Sequence, residues 1–309
     1  MRISRDQCVF ALVWVAIVVC LAFSSACTAK QAAKSNATRE ITDDAGRRVA
    51  LPSTVDRVVS LAPNLTEIVF AVRAGNRLVG RTSYCDFPAE AKAIAEVGDT
   101  LRPNLERIIA LKPQVVLVST ASQLEVFTQQ LEGQNIAVFV TDPHDLEGVF
   151  RSIERIGEIV GEQDQAKLLV QKLRDRTDAV EQAVKQKAPV RVFYQVSGEP
   201  LYTAGADAFV TDLMRRAGAA SVTSDVPGAW PKYSNESALA ARPEAIILPT
   251  GGSMGEANAN VAEALRQSPA VLKGRVYKIN DDHLARPGPR SVDGLEQMAR
   301  ALHPDAFTK

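Results

Sequence analysis

At 309 residues the chain is too long for one ordinary compact domain and suits two of roughly 120–150 residues plus an export segment. Apolar residues make up 46% and charged residues 23%, the balance of a protein that buries real cores. Lys plus Arg and Asp plus Glu each number 36, so no bulk charge points to nucleic acid or an anionic membrane as partner.

Arg2 and Arg5 precede an uninterrupted apolar run, Val9 to Phe23, and Ser24-Ser25-Ala26-Cys27 follows it. A basic start, an apolar middle and a small-residue end make residues 1–26 a signal peptide. The run is short for a membrane span of about 20 residues. Two forms of processing stay open. Small residues directly before Cys27 resemble a lipobox, which makes Cys27 a lipidated N-terminus, although Ser24 stands where leucine is usual. Ordinary cleavage after Ala26 is the other. The expected location is the periplasm or cell envelope, with or without the lipid anchor. Cys8 and Cys20 leave with the signal; the mature chain keeps Cys27 and Cys85 and is not a disulfide-built domain.

Residues 27–54 open polar and small and read as a flexible tether. Arg57 to Leu61 is the first buried strand, and Asn64-Leu65-Thr66-Glu67 opens a helix running to about Val72. Apolar strands follow at Leu78–Gly80, Val115–Val118 and Ile136–Val140, separated by helical stretches. Such runs alternating with helices predict an α/β lobe over 55–145, its mostly parallel sheet covered on both faces. From Gly161 to Lys187, Ala166, Leu169, Val170, Leu173, Val180 and Val184 recur at helical spacing until Pro189 stops the pattern. A rod of roughly 40 Å at 1.5 Å per residue is long for a crossover helix, and 146–188 is expected to be a rigid helical linker. The pattern then restarts over 189–309: strands at Val190–Gln195, Ala245–Leu248 and Val276–Ile279, helices at Phe209–Ala217 and Leu295–Leu302. Two Rossmann-like lobes joined by one long helix are therefore predicted.

One element occurs twice. Asn104-Leu105-Glu106 leads through a short helix to Lys112-Pro113 and a buried strand; Asn235-Glu236-Ser237 leads likewise to Arg242-Pro243 and another. Asn104, and Ser234 or Asn235, can cap the helix, a first-turn glutamate suits the helix dipole, and proline launches the strand. Glu106 and Glu236 are either two such helix acids or two equivalent surface carboxylates, one per lobe, for a two-fold partner.

Arg57 to Glu67 resembles the opening of the cobalamin/siderophore/haem class of periplasmic solute-binding proteins, class III of those serving ABC importers. So do Ser83-Tyr84-Cys85-Asp86-Phe87-Pro88, Asn104-Leu105-Glu106-Arg107, Trp230-Pro231 and Arg286-Pro287-Gly288-Pro289-Arg290. The resemblance runs from about 55 to 303 and is greatest to the cobalamin-binding branch. It implies two lobes that close little, a ligand between them, and one glutamate per lobe docking on arginines of a permease dimer, here Glu106 and Glu236. It also implies ligand contacts from Tyr84, Trp230, Asp282 and Arg286, which suit a flat corrin with apolar faces and an amide rim. Leu101 and Ser119 stand where that pattern carries tryptophan, and Val196 where it carries phenylalanine. The expected ligand is thus a corrinoid, with haem (Tyr84 as axial ligand) or a ferric siderophore as alternatives and no resident cofactor.

An enzyme is the rival class, yet no G-x-G-x-x-G, P-loop or nucleophile elbow is present. A metal-ion binder needs converging histidines and carboxylates, and His283 beside Asp281 and Asp282 is the sole local group. His303, before a proline near the end, reads as solvated.

Overall fold

The computed structural model describes residues 38–119, 124–251 and 260–307. The expected signal peptide, Cys27 and the start of the tether lie outside the described residues. By its contacts the chain divides after Thr38, and Arg39–Lys309 form one unit that holds the sheets of both lobes.

The second half of the expected tether is ordered structure. β1 (Thr38–Thr42) and β2 (Arg48–Pro52) form a two-stranded sheet whose Ile41, Val49 and Leu51 enter the core. Asp43 turns the hairpin: its carboxylate accepts from Arg47 N at 2.8 Å and Arg47 Nε at 2.9 Å. Alternating apolar residues at 41, 49 and 51 are the signal that a polar-composition reading passes over.

The first lobe is a parallel sheet in the order β4-β3-β5-β6, with β3 at Val58–Ser60, β4 at Leu78–Arg81, β5 at Val115–Ser119 and β6 at Ala137–Thr141. Its strands are apolar along most of their length, with polar residues only at the carboxyl ends (Ser60, Arg81, Ser119, Thr141), because each face has its own core. Val58, Val115 and Leu117 pack with α1 (Pro63–Ala71), while Val59, Val116 and Val138 pack with Ile108 of α2 (Leu105–Ala110) and Leu131 of α3 (Leu124–Glu132).

The expected single linker is two helices. α4 (Leu146–Ile159) buries Val149, Phe150, Ile153 and Ile156 in the first lobe's core. α5 (Gln163–Val184) is the strut, of 22 residues and about 33 Å at 1.5 Å each. It buries Ala166, Val170, Leu173, Thr177, Val180 and Val184, a stripe at alternating spacings of four and three. Gly157 lies against this start, where a Cβ would stand 2.4 Å from the Ala166 methyl.

The second lobe repeats the first. β7 (Val190–Gly198), β9 (Ala219–Ser221), β10 (Ala245–Thr250) and β11 (Val276–Asn280) are parallel in the order β9-β7-β10-β11, the same order as β4-β3-β5-β6. β8 (Leu201–Thr203) is an antiparallel addition to the end of β7. α6 (Phe209–Arg216), α7 (Asn235–Ala241), α8 (Pro269–Leu272), α9 (Asp281–Leu284) and α10 (Ser291–Leu302) cover the sheet. One continuous apolar cluster runs from Leu65 and Ile68 through the strut's Val170 and Val180 to Val192, Leu213 and Leu295. Joining two lobes through a packed core rather than a bare linker resists bending. Arg174 pairs with Glu147 on one side of the strut and Arg176 with Asp293 and Glu296 on the other.

His303 is buried, not solvated. Its Nε2 lies 3.0 Å from the Gly218 carbonyl oxygen, and Gly218 has φ +77°. The glycine that ends α6 leaves room for the imidazole, since a Cβ there would stand 2.7 Å from Nε2.

Candidate functional site

In both lobes the segments leaving the carboxyl ends of the strands converge, the usual ligand position in open parallel sheets. After β4 the loop 82–88 is anchored by Cys85, a free and fully buried thiol whose Sγ is 3.1 Å from Thr82 Oγ1. With Cys85 inside, its neighbours Tyr84 and Phe87 stand out at 48% and 45% exposure. In the second lobe the loop carrying Trp230 is laced to β8 and its sequel: Gly205 N donates to Ala229 O at 3.0 Å, Thr203 N to Pro231 O at 3.2 Å, and Tyr233 N to Leu201 O at 2.9 Å. Gly205 makes this possible, because a Cβ there would lie 2.2 Å from Gly228 O. Trp230 is 44% exposed and rests its ring on buried Tyr194, centroids 6.4 Å apart.

Beside Phe87 a cluster of charges crosses from lobe to lobe. Glu67 of α1 is buried, and its carboxylate takes Arg290 Nε at 2.9 Å and Nη2 at 2.5 Å. Arg286 Nη1 meets Asp86 at 3.0 Å and Glu67 at 3.6 Å; Nη2 meets Asp282 at 2.9 Å. Asp282 Oδ2 is 3.7 Å from Arg290, and Oδ1 is buried without a well-directed hydrogen bond despite its nearness to Arg286. Asn64 Nδ2 donates to Pro287 O at 3.1 Å, a further bond between lobes. The Arg290 guanidinium also covers the Phe87 ring at 4.2 Å, beside a recess of about 340 Å³ lined from both lobes by Phe70, Phe87, Pro88, Glu90 and Pro289.

The charges perturb one another. Burial raises the Asp86 carboxyl, but the hydrogen bond and charge of Arg286 outweigh it and hold it below the ordinary value. Burial, and next the Asp282 carboxylate, push Asp281 up to about 6 against the pull of Arg286. Burial, then Asp281, raise the Tyr194 phenol.

Of the four expected ligand residues, Tyr84 and Trp230 are half-exposed aromatics on opposite lobes, and Asp282 and Arg286 are buried partners of each other. Glu67, Asp86 and Phe87 complete the cluster without having been assigned a role from sequence, together with Arg290, which like Arg286 flanks the Pro-Gly-Pro loop and reads from sequence as either a solvated or a ligand-facing charge. A signal for Glu67 existed: a carboxylate set among Leu65, Ile68 and Val69 is buried with them and needs a cation. Of the departures, Leu101 is 81% exposed, while Val196 packs against the core. His283 Nδ1 lies 3.1 Å from Gln297 Nε2, and among the described residues no group of three His, Cys, Asp or Glu side chains is placed to hold a metal ion.

Glu106 and Glu236 lie apart from this cluster, exposed in the first turns of α2 and α7. Asn104 accepts from Arg107 N at 2.9 Å and Ser234 from Ser237 N at 3.0 Å, so the two helices are capped alike. Both end on a left-handed residue before proline, Lys112 at φ 48° and Arg242 at φ 43°. The echo extends to the first strand of each lobe. Arg57 and Arg191 donate side-chain hydrogen bonds to the carbonyls of Leu111 and Ala241, while their backbone N–H groups donate to Gln114 and Glu244. Each glutamate thus rides on a helix fastened to its sheet in the same way.

No helix among the described residues is long and apolar enough to cross a membrane. The periplasmic binding protein family model matches residues 58–283. An uncharacterized ABC transporter substrate-binding lipoprotein of Bacillus subtilis, YvrC, is 32% identical over 274 residues, 86% of each chain. The vitamin B12-binding protein of Photorhabdus laumondii is 29% identical over 247 residues, 80% of this chain and 88% of the relative. The periplasmic haem-binding protein RhuT of Roseiflexus sp. RS-1 shares the fold at TM-score 0.72 and 22% identity, over 82% of this chain and 99% of its own. With its two parallel-sheet lobes on a helical strut and the family match spanning both, this chain belongs to the periplasmic binding protein family, whose members bind substrates for ABC transporters.

Proposed function

We propose that this protein is exported to the cell envelope, holds a corrinoid between its lobes, and delivers it to the permease dimer of an ABC importer through Glu106 and Glu236. It acts by binding, not catalysis. The observation that supports the ligand reading is a pair of half-exposed aromatics, Tyr84 and Trp230, one on each lobe, together with a polar cluster that spans the lobes. Flat apolar faces stack on such rings, and amides on a rim find carboxylate acceptors below. The similarity to a vitamin B12-binding protein supports the same reading. The test is a titration of purified protein with cobalamin, cobinamide, haem and a ferric siderophore, followed by tryptophan quenching. Saturable quenching by a corrinoid at micromolar concentration or below is expected, and no response to either corrinoid removes the reading.

Delivery rests on the matched mounting of Glu106 and Glu236. Charge reversal, Glu106→Lys with Glu236→Lys, is expected to abolish transport in reconstituted vesicles while ligand affinity is retained. Full transport by the double variant removes the docking role. Lipidation at Cys27 is the proposed anchor, and Cys27→Ser is expected to free the protein from the membrane fraction. Haem is the second reading, favoured by the exposed Tyr84 phenol, a candidate axial ligand. A Soret shift on adding haem, lost in Tyr84→Phe, would establish it over the corrinoid.

A further inference from the structure

The charges between the lobes do not balance. Glu67, Asp86, Asp281 and Asp282 face two guanidiniums, those of Arg286 and Arg290. Each guanidinium is already committed. Arg290 is held two-pronged by Glu67 and lies over Phe87, and Arg286 meets carboxylates from both lobes. A ligand carboxylate reaching Arg286 or Arg290 must displace one of these acids, or sit beside them uncompensated. Like charges brought together where water is scarce are strongly unfavourable.

Among the carboxylates, Asp86 remains available as an acceptor. The Asp86 side chain is 47% exposed although one oxygen meets Arg286, whereas Asp282 is buried with its Oδ1 2.9 Å from Arg286 Nη2. Groups that donate hydrogen bonds without carrying negative charge, such as primary amides, suit this surface.

We infer that the interlobe cluster is a charge filter, in which exposed Asp86, backed by the buried negative charges of Glu67 and Asp282, admits neutral or cationic tetrapyrroles rimmed by amides and rejects those rimmed by carboxylates. The inference rests on the tetrapyrrole-binding reading above and selects within it: amide-rimmed corrinoid over haem with its two propionates. Asp86 is the specificity-determining residue because it comes from the first lobe, lies at the accessible edge, and shares the guanidinium of Arg286 with buried Glu67 and Asp282.

The experiment compares dicyanocobinamide, whose rim is amide, with dicyanocobyrinic acid, the same ring with carboxylates. Calorimetric titration is expected to give at least about 100-fold tighter binding of cobinamide. In Asp86→Asn the gap is expected to narrow about tenfold, because one fixed negative charge has gone while the shape is kept. Equal affinities for the two rings, or an unchanged gap in Asp86→Asn, would overturn the filter and leave the corrinoid reading standing. If cobinamide fails to bind, the corrinoid reading falls, and haem against its propionamide derivative decides the filter: tighter binding of the diamide supports it, equal or tighter binding of haem overturns it. If none of the four binds, both proposals are overturned.

Discussion

Arg290 clasps Glu67 across 223 positions of sequence, two nitrogens against two oxygens, and so ties the second lobe to the first helix of the first lobe. A two-pronged pair of this kind fixes orientation as well as distance. Because Glu67 is buried, removing Arg290 leaves its charge inside the protein with only Arg286, 3.6 Å away and already shared with Asp86 and Asp282.

Arg290→Met is therefore expected to cost about 3–5 kcal/mol, read as a lower midpoint in urea. The paired change Glu67→Leu with Arg290→Met is expected to recover most of that loss. A double variant no more stable than the single one would mean that the pair contributes through packing rather than charge.

Asp281 gives a pH dependence of unusual sign. Burial and Asp282 lift its carboxyl from the ordinary 3.8 to about 6, so the folded protein holds this proton where the unfolded chain has released it. The group's contribution is then lost as pH rises from about 4 through about 6 and stays lost above. Asp281→Asn removes the titration. It is expected to be more stable than the parent at pH 7, by up to about 3 kcal/mol, with the advantage gone below pH 4. Denaturation curves of both proteins at several pH values check this, and parallel stability across the range would contradict it.

Asp212 works in the other direction. Burial opposes its charge, but hydrogen bonds from Arg216, Leu146 N and Arg215 hold its carboxyl below the ordinary value. It joins α6 of the second lobe to the start of α4, since Asp212 Oδ2 accepts from Leu146 N at 3.1 Å and from Arg216 Nε at 2.7 Å. Its stabilisation is present above the unfolded carboxyl range and lost as pH falls through the folded value. Asp212→Asn is expected to cost about 1–3 kcal/mol at pH 7. The difference from the parent should close below about pH 3.8; a difference that persists in acid would place the cost in packing.

The Trp230 loop depends on one close approach. In Gly205→Ala the new methyl group would meet Gly228 O at 2.2 Å and Val226 O at 2.6 Å, and the loop must move. Corrinoid affinity is expected to weaken by about 1–3 kcal/mol, as for Trp230→Ala, with a shifted tryptophan emission maximum in the unliganded protein. An unchanged emission and affinity would show that the loop tolerates the displacement.

Much of the architecture was legible in the chain itself. Continuous apolar runs separated by helices dictated parallel sheets with two covered faces, and the stripe Ala166, Val170, Leu173, Val180, Val184 marked the strut. The echo around Glu106 and Glu236 disclosed the doubled lobe, because capping and proline chemistry act within a few residues and leave local signatures. The hairpin at 38–52 was hidden in a segment of polar composition, and the burial of His303 depends on a glycine 85 residues away. Only the tertiary structure decided how Arg286 and Arg290 are used. Beside a Pro-Gly-Pro loop they read as solvated or ligand-facing charges, and their commitment to Glu67, Asp86 and Asp282 arises from strand ends that meet after both lobes have folded. Electrostatic pairing over 200 positions has no period or spacing in sequence; it is set by where two sheets place their carboxyl ends.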